Sequence, residues 1–393
     1  MARLLAAAAL GGAGACSTAS GQPRWHPVPP AAFAGSTGGV PLVETVVAGM
    51  GGAPWRAGGV IDGAGGSQQV SIWRAPLPQG PWTLEAVAPV PGRDGPNETI
   101  YGIAPGRSVL VAFGFRRSPT ENYPRPSVWT ASPVPTPVWR EVLESREFFG
   151  GPDIVGFGGL SSGPHGWFVG GTWTDPRGRA EPSIWRSVDG HQWLHDATDP
   201  AFEPGPGETP LVSGVADGPN GALLVATSDV PIPADPLARI AAAWWSGTGA
   251  RWERVPLSSP PGSSTFDAVT ATDSGWLIAG TESIEGRPRA ELWTLGADLR
   301  LSDPFRLPGG PGTPMSLQVD GDRVLVGGAS GPRAALWTLR YRRGILDRPS
   351  VALLPGTVPF QIDSVRVAAS GRSMVVSVAG ADRSEVWFGT PAP

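Results

Sequence analysis

Lysine is absent from this sequence, and cysteine, tyrosine and charged residues are scarce. All 30 basic residues of the 393 are arginine, charged residues make up 16% of the chain, and there are three tyrosines and one cysteine. A single cysteine excludes an internal disulfide framework. The formal net charge of −4 gives no support for nucleic-acid binding. The lack of lysine, with only four methionines, indicates biased coding rather than a function that requires arginine.

Sustained helical patterns are missing as well, whereas turn residues and tryptophan are abundant. Outside the N-terminus no segment repeats apolar residues at i, i+3, i+4 and i+7. Glycine and proline together supply about a quarter of the chain, a share that on its own favours disorder. Seventeen tryptophans and a hydrophobic content of 40% oppose that interpretation, because such a chain can bury enough apolar surface to offset its ordering entropy. The composition therefore favours a folded protein with many turns.

A short apolar run that closes on a tryptophan occurs seven times. The spacings between these tryptophans are 56, 56, 60, 48, 44 and 50 residues. A period in this range indicates an array or a propeller rather than one irregular core. The seven tryptophans are Trp73, Trp129, Trp185, Trp245, Trp293, Trp337 and Trp387.

Each repeat unit contains several short runs that are rich in β-branched and aromatic residues and bounded by turn residues, which is typical of strands. In the third unit they are 153–159, 166–171, 182–187 and 193–195. Four strands in a unit of roughly 40–50 residues are typical of a propeller blade. The sequence therefore predicts an all-β fold, a seven-bladed β-propeller of four-stranded antiparallel blades, with six or eight blades as alternatives. The units begin near Leu42, Glu98, Asp153, Thr209, Thr265, Met315 and Gln361.

The two ends of the chain predict how the ring closes. The seventh unit reaches its tryptophan run at Glu385–Phe388 and ends one strand short, whereas residues 24–28 resemble the fourth strands of other units. An N-terminal strand that completes the last blade would remove two exposed sheet edges. Pro27 is compatible with this position, because the fourth strand of a blade is an edge.

The N-terminal segment resembles a bacterial lipoprotein signal. Arg3 supplies a positive charge, Leu4–Leu10 an apolar region, and Ala13–Cys16 a small-residue cleavage site that ends in the only cysteine. The apolar stretch is too short to be retained as a membrane-spanning helix. The resemblance implies a signal peptide at 1–15, a lipidated Cys16 followed by a flexible tether over 16–23, and a single propeller domain at 24–393. The alternative is an ordinary secretory signal cut nearby.

One turn resembles the Asp box of the sialidase-like, BNR-repeat propellers, which have the pattern S-x-D-x-G-x-x-W. Its residues here are Ser187, Asp189, Gly190 and Trp193, with one residue fewer before the glycine. Weaker relatives occur at 246–252 and 132–139. The resemblance implies a structural role: the serine and aspartate bond backbone groups of the turn, and the tryptophan packs between blades.

The resemblance does not extend to a catalytic centre. Residues 305–308 resemble the sialidase F-R-I-P motif, but they follow the Asp box instead of preceding it. His191 and His195 are four residues apart, so that in a strand they would point to the same side, but no third metal ligand is evident. The sequence therefore predicts no catalytic residue, no metal and no cofactor.

Loop length distinguishes the two faces of the predicted propeller. Turns between the first and second and between the third and fourth strands are short, whereas connections between the second and third strands carry long charged insertions. Long loops on a rigid scaffold often hold binding residues, although solvated loops without a ligand are the alternative. The face with the short turns is predicted to bind nothing. The candidate binding residues are Arg116, Arg117, Tyr123, Arg125, Trp173, Asp175, Arg177, Arg179, Arg287 and Arg289.

Two hypotheses of function follow. The first is a monomeric, membrane-anchored binding module outside the cell that recognises a glycan, a peptide or a partner protein through its long loops. The alternative is a cell-surface glycoside hydrolase of the sialidase-like type, which needs two convergent carboxylates near the central pocket. A central funnel lined by paired acids and arginine would favour the enzyme, and a plain polar channel would favour the binding module.

Overall fold

The computed structural model describes residues 23–33, 39–49, 53–62, 68–88, 97–106, 108–117, 125–142, 149, 153–196, 199–232, 235–257, 263–284, 286–355 and 361–390. Within these ranges the chain is all-β, and the helices that appear as elements are two 3₁₀ turns, Pro30–Ala32 and Pro200–Phe202. No helix in the described part of the chain has the length and apolarity needed to cross a membrane. The predicted signal peptide, Cys16 and all of the predicted tether except Pro23 lie outside the described residues.

The first strands, in chain order, are β1 (Arg24–Val28), β2 (Val40–Val47), β3 (Trp55–Asp62), β4 (Gln68–Ala75), β5 (Thr83–Leu84), β6 (Ala86–Val87), β7 (Asn97–Pro105), β8 (Leu110–Arg117), β9 (Arg125–Ala131), β10 (Val138–Glu141), β11 (Ile154–Gly163), β12 (Gly166–Thr174), β13 (Ala180–Ser187) and β14 (Leu194–Asp196). The remaining strands are β15 (Thr209–Gly218), β16 (Gly221–Ile232), β17 (Asp235–Ser246), β18 (Glu253–Arg254), β19 (Ser263–Thr272), β20 (Gly275–Ile284), β21 (Arg287–Gly296), β22 (Phe305–Pro311), β23 (Thr313–Asp320), β24 (Arg323–Ser330), β25 (Arg333–Arg342), β26 (Ile345–Leu353), β27 (Ser364–Ser370), β28 (Ser373–Ala379) and β29 (Ser384–Thr390).

These strands form seven blades, which confirms the predicted architecture. Blades 3 to 6 are the four-stranded sheets β11–β14, β15–β18, β19–β22 and β23–β26, each in chain order. Neighbouring inner strands contact one another around a closed circuit, from β2 through β7, β11, β15, β19 and β23 to β27 and back to β2. The inner strands therefore enclose a central channel.

The seventh blade closes the ring as predicted. Its strand order is β1-β29-β28-β27, and β1 lies antiparallel to β29, with Trp25 opposite Gly389 and Val28 opposite Val386. Val28 is buried in the same cluster as Val386, and the His26 ring stacks on Phe388 at 5.0 Å. The N-terminal strand thus supplies the outer edge of the last blade.

The outer edges of blades 1 and 2 differ from the simple repeat. β5 pairs with β4 over two residues, after which β6 crosses over and pairs in parallel with β10 of blade 2. Glu85 lies between β5 and β6 and is buried, and its carboxylate accepts hydrogen bonds from Trp139 Nε1 at 2.7 Å and Arg56 Nε at 3.4 Å. Blades 1 and 2 therefore share a buried polar contact.

Tryptophans on the third strands fill the spaces between blades. In six blades they are the residues found by the period, and each is at most 8% exposed. In the fourth blade the buried residue is Trp244, one position before the predicted Trp245, which is half-buried and donates from Nε1 to Asn220 O. Several of these tryptophans pack on a phenylalanine of a blade-to-blade connection, as Trp185 does on Phe149 at 5.4 Å. The apolar core is thus divided among the blade interfaces, as the repeated sequence pattern implies.

We call the two sides of the ring the short-turn face and the long-loop face. The short-turn face carries the connections from the first to the second strand and from the third to the fourth strand of each blade, such as 164–165 and 188–193. The long-loop face carries the connections from the second to the third strand and the crossovers between blades. The channel runs from one face to the other.

Candidate functional site: the central channel

Irregularities in the inner strands recur at one position and define the candidate site. In six blades the pairing of the inner strand with the second strand shifts by one residue at this position, which leaves one residue there without a direct partner. The inner strand of blade 3 has a second shift, at Val155. Such β-bulges re-aim a side chain and are frequent beside active sites. The seventh blade is regular, and Arg366 occupies the corresponding place. The channel ring consists of Glu44, Tyr101, Gly158, Ser213, Asp267, Met315 and Arg366.

The exposure of these residues shows that they face the channel. Glu44 and Asp267 are partly exposed, whereas their neighbours Val43 and Phe266 are each 1% exposed. Tyr101 is 44% exposed next to a fully buried Ile100. Neighbouring blades cover both faces of an inner strand, and the second strand covers its outer edge. Solvent reaches the middle of an inner strand through the channel, so the exposed side chains line it.

Glu44 and Arg366 form an electrostatic pair across the interface of blades 1 and 7. Burial raises the pKa of Glu44 to about 7, the positive charge of Arg366 opposes this rise, and Asp363 adds to it. Arg366 donates from Nη1 to Met315 O at 3.2 Å and thereby also contacts the channel ring of blade 6. Burial lowers the pKa of Arg366, and the charge of Glu44 opposes that shift. Burial therefore disfavours the charged form of both residues, and their mutual attraction offsets part of that cost.

Asp267 lies in blade 5, nearly across the channel from Glu44. Burial raises its pKa to about 7, while a hydrogen bond from Thr265 and the charge of Arg239 oppose the rise. Thr265 Oγ1 lies 3.1 Å from Asp267 Oδ2 and 2.6 Å from Thr281 Oγ1. The two threonine hydroxyls fix the orientation of the Asp267 carboxyl group. A hydroxyl group stabilises the ionised form of this carboxyl less than a salt bridge would.

The other members of the channel ring are Met315, a tyrosine, a serine and a glycine. Tyr101 presents its ring beside Phe115, with the centroids 5.2 Å apart in an edge-to-face arrangement. Ser213 Oγ donates to the carbonyl oxygen of Phe266 in the next blade. A Cβ at Gly158 would meet the backbone of blade 4 at 2.7 Å, so the inner strands of blades 3 and 4 approach too closely there for a side chain.

The predicted binding residues of the long-loop face are largely engaged with each other where the structure describes them. Asp175 Oδ1 accepts hydrogen bonds from the backbone N–H groups of Arg177 and Arg179, each at 2.8 Å. Arg179 also lies 2.9 Å from Asp175 Oδ2 and 3.4 Å from Glu203. These hydrogen bonds, the backbone bond of Arg179 first, lower the pKa of Asp175. The structure thus shows a self-contained ion-pair network in this loop.

Of the remaining predicted binding residues, those whose side chains the structure describes lie apart from the channel ring. Trp173 packs on Trp185 and His195 at centroid distances of 6.3 and 4.9 Å. Arg287 and Arg289 begin β21, and Arg287 is exposed. Arg116 and Arg117 end β8 and Arg125 begins β9, but their side chains and the whole of Tyr123 lie outside the described residues. The binding role of this set stays a prediction.

The turn that resembles an Asp box lies on the short-turn face. Gly190 N donates to Ser187 Oγ at 2.8 Å, and Asp189 Oδ1 accepts from the backbone N–H groups of His191 and Gln192, each at 2.8 Å. Trp193 Nε1 donates to Gly190 O at 3.1 Å, and its ring is buried in a cluster that includes Val109 and Val111 of blade 2. The turn is closed by its own side chains and contacts the neighbouring blade.

Neither the two histidines, His191 and His195, nor residues 305–308, which resemble the F-R-I-P motif, form a catalytic group in the described part of the structure. His195 stacks on Trp185 at 4.4 Å and shares a 2.6 Å hydrogen bond with Ser183, and burial lowers its pKa to about 4. His191 lies on the exposed turn near Thr130. Arg306 is on the outermost strand of blade 5, beside Glu291 at 3.5 Å. Among the described residues no three His, Cys, Asp or Glu side chains converge as metal ligands.

Sequence reasoning missed the channel ring, although the signal was present. At the same place in several repeats a polar or charged residue stands between two apolar ones, as in Phe266-Asp267-Ala268 and Val365-Arg366-Val367. This position becomes informative when the register of the inner strand is known, because the bulge turns the residue toward the axis.

Comparisons with known proteins bear on the fold. Neither a protein-family model nor a curated protein matches the sequence. Among solved structures, the Penicillium chrysogenum alpha-L-arabinanase complexed with arabinobiose is 14% identical, covers 71% of this chain and 89% of its own, and superposes with a TM-score of 0.42. The Trypanosoma rangeli sialidase in complex with the inhibitor DANA is 12% identical over 73% of this chain and 54% of its own, with a TM-score of 0.44.

A third similar structure is described as a putative oxidoreductase (glucose dehydrogenase) from Thermus thermophilus. It is 14% identical, covers 94% of this chain and 100% of its own, and has a TM-score of 0.43. The chain therefore has structural neighbours among glycoside hydrolases and one described as a putative oxidoreductase. At these identities and TM-scores the likeness carries no argument about function, which has to be argued from the channel.

Proposed function

We propose that the protein is a glycoside hydrolase whose catalytic centre is the channel ring, with Asp267 as the proton donor and Glu44 as the base. The observation that carries the proposal is the placement of two carboxyl groups, an arginine and a tyrosine at equivalent positions in the middle of the channel. The glycoside hydrolase hypothesis requires paired acids and an arginine in a central funnel. Hydrolysis of a glycosidic bond uses two carboxyl groups on either side of that bond.

Burial raises the pKa of both carboxyl groups to about 7, so the proposed roles rest on the neighbours of each group. A general acid must hold its proton near the working pH, and burial that raises the pKa of Asp267 to about 7 suits that task. Burial raises the pKa of Glu44 to about 7 as well, but the positive charge of Arg366 opposes this rise, and we assign the base to the carboxyl group that has this arginine beside it. Asp267 would give its proton to the glycosidic oxygen as the bond to the anomeric carbon breaks. Glu44 would take a proton from the water that forms the new bond.

The spacing of the blades supports an inverting reaction. Blades 1 and 5 are separated by two blades on one side and three on the other, so their carboxyl groups approach the axis from nearly opposite sides. A wide separation leaves room for a water molecule beside the sugar, whereas a close pair favours a covalent intermediate. The exposed ring of Tyr101 offers an apolar surface on which a sugar can stack.

The binding-module hypothesis has less support from the geometry. Its best-described residues, Asp175 and Arg179, are committed to each other and to Glu203. Binding through the long-loop face stays a prediction, and the hydrolase is the function that the channel favours.

A screen of chromogenic aryl glycosides and natural oligosaccharides tests the proposed activity. We expect the wild type to hydrolyse at least one substrate class, and Asp267→Asn and Glu44→Gln each to lower kcat by about 10²–10⁴-fold. The matched control is Glu253→Gln, which alters an exposed carboxylate on the outer strand of blade 4. The anomeric configuration of the first product, followed by NMR, should be inverted. Full activity in both channel variants would reject the site.

We further propose that the protein acts outside a bacterial cell, held to the membrane by a lipid on Cys16. The support is the small-residue sequence before the only cysteine. The test is Cys16→Ser followed by cell fractionation: the anchor predicts release from the membrane fraction. If the variant stays in the membrane fraction, the lipid on Cys16 is not the anchor.

A further inference from the structure

One hairpin extends farther from the short-turn face than its counterparts. In blade 3, β13 ends two residues after Trp185, and the outer strand β14 has three residues. In blade 6, β25 continues to Arg342, five residues after Trp337, and β26 has nine residues. The hairpin turns at Arg343 and Gly344, with Arg342 opposite Ile345. We call residues 340–348 the blade-6 hairpin.

The blade-6 hairpin combines exposed arginines with an exposed apolar tip. Ile345 is 67% exposed. Two carboxylates lie on the hairpin or bond to it: Asp347, which is exposed, and Asp322, which accepts a hydrogen bond from Arg342 Nε at 2.7 Å. The four arginines outnumber these two carboxylates, which leaves the hairpin positive. The exposed arginines are Arg340, Arg342, Arg343 and Arg348.

The root of the hairpin is fixed to the scaffold. The hydroxyl of Tyr341 lies 2.9 Å from Ser274 Oγ in blade 5, and Tyr341 N donates to Asp322 O at 2.7 Å. These bonds hold the hairpin in place on the short-turn face. A fixed, positively charged projection with an apolar tip suits a surface that is anionic outside and apolar inside.

The chain that carries Cys16 enters the propeller on the same face, in the adjacent blade. Arg24 lies opposite Thr390, at the end of blade 7 that also carries the turn at Gly371 and Arg372. Arg323 of blade 6 donates from Nη2 to Gly371 O at 2.7 Å, so the two blades touch there. Both Arg24 and Arg372 are exposed. From Cys16 to Arg24 the chain can span at most about 28 Å.

We propose that the blade-6 hairpin binds anionic lipid headgroups and orients the propeller with its short-turn face against the membrane. This inference rests on the proposed anchor at Cys16, which would hold that face near the bilayer. Arginines attract the negative surface of an anionic bilayer, and Ile345 can enter the boundary between headgroups and acyl chains. The long-loop mouth of the channel then faces away from the membrane. The hairpin gives a role to a face for which loop lengths predict none.

Vesicle co-sedimentation tests the inference without lipidation or catalysis. The full chain carrying Cys16→Ser is mixed with vesicles of pure phosphatidylcholine or of phosphatidylcholine and phosphatidylglycerol in equal parts. We expect binding to the anionic vesicles that weakens as salt is added. Replacing one arginine should lower the partition coefficient about fivefold, and Arg340→Gln combined with Arg343→Gln about 25-fold. Ile345→Ser should weaken the binding that remains at high salt, because salt screens the arginines but not the apolar contact of Ile345.

The matched control is Arg287→Gln combined with Arg289→Gln, which removes the same charge from the long-loop face and should leave vesicle binding unchanged. Equal losses in the two double variants would mean that net charge, not the hairpin, drives binding, and would overturn the inference. Equal binding to both kinds of vesicle would overturn it as well. Arginine-dependent retention on immobilised polyglutamate without vesicle binding would assign the hairpin to an acidic protein instead. Each result leaves the hydrolase and the Cys16 anchor to their own tests.

Discussion

Replacing Asp267 by asparagine should stabilise the protein at neutral and alkaline pH. The folded state holds the proton of Asp267 more tightly than the unfolded chain, because burial raises the pKa from 3.8 to about 7. Below pH 3.8 both states are protonated, and the carboxyl group costs nothing. As the pH rises from about 4 to about 7, the unfolded chain ionises first, and the folded state loses stability. Above that window the loss is constant.

The size of this effect follows from the shift. A rise from 3.8 to about 7 corresponds to about 4 kcal/mol at full ionisation. Water in the channel screens the partly exposed carboxylate, so we expect a measured gain of about 2–4 kcal/mol for Asp267→Asn at pH 8. Asparagine has nearly the same shape and still accepts the hydrogen bond from Thr265. Asp267 would thus be kept at a cost in stability, as functional groups often are.

Urea unfolding at a series of pH values measures the difference. The free energies of unfolding of wild type and Asp267→Asn should agree near pH 4 and diverge as the pH rises to about 7. Glu253→Gln, which alters an exposed carboxylate, should follow the wild type throughout. A variant that is less stable than the wild type at pH 8 would refute the reasoning, since it would show that the ionised carboxylate stabilises the fold.

Three further predictions concern the scaffold. Glu85→Ala should lower the free energy of unfolding by about 3–5 kcal/mol, because it leaves the buried Arg56 without its partner. Adding Arg56→Met should recover most of this loss in urea titrations. If stability is not recovered, the pairing of Arg56 with Glu85 is contradicted. Deleting residues 24–30 should lower the Tm, because it removes the buried Val28, worth about 2 kcal/mol, and exposes β29; an unchanged melting curve would refute closure by β1. Gly190→Ala should cost about 2 kcal/mol or more, because φ is +78° and a Cβ would lie 2.9 Å from Val111; Gly178→Ala, at φ +80° in open space, separates the backbone cost from the packing cost in the same unfolding assay.

The sequence was sufficient for the blades and for ring closure because both depend on local patterns. Each blade needs a tryptophan on its third strand to fill one blade interface. The number of such tryptophans in the sequence therefore gives the number of blades. The missing last strand and the matching residues 24–28 imply a partner for β29. The crossing of β6 to blade 2 was not predictable in this way, since it depends on Glu85 bonding to Trp139, which is distant in sequence.

The candidate site was harder to predict because it is built from seven separate repeats. No two of its residues are close in sequence, and none belongs to a contiguous catalytic motif. Sequence reasoning favoured the long loops, where charges such as Asp175 and Arg179 turned out to pair with each other. The channel carboxyl groups are evident only when the bulges of β2 and β19 are known.

Leaving-group dependence tests the central claim most directly, because it asks whether Asp267 donates the proton in the channel. A substrate with a poor leaving group needs that proton, whereas a dinitrophenyl glycoside departs as a stable anion without it. The account predicts that Asp267→Asn lowers kcat on an unactivated disaccharide by about 10²–10⁴-fold and on the dinitrophenyl glycoside far less, while Glu44→Gln impairs both alike. Equal losses of Asp267→Asn on the two substrates, or none on either, would contradict Asp267 as the proton donor.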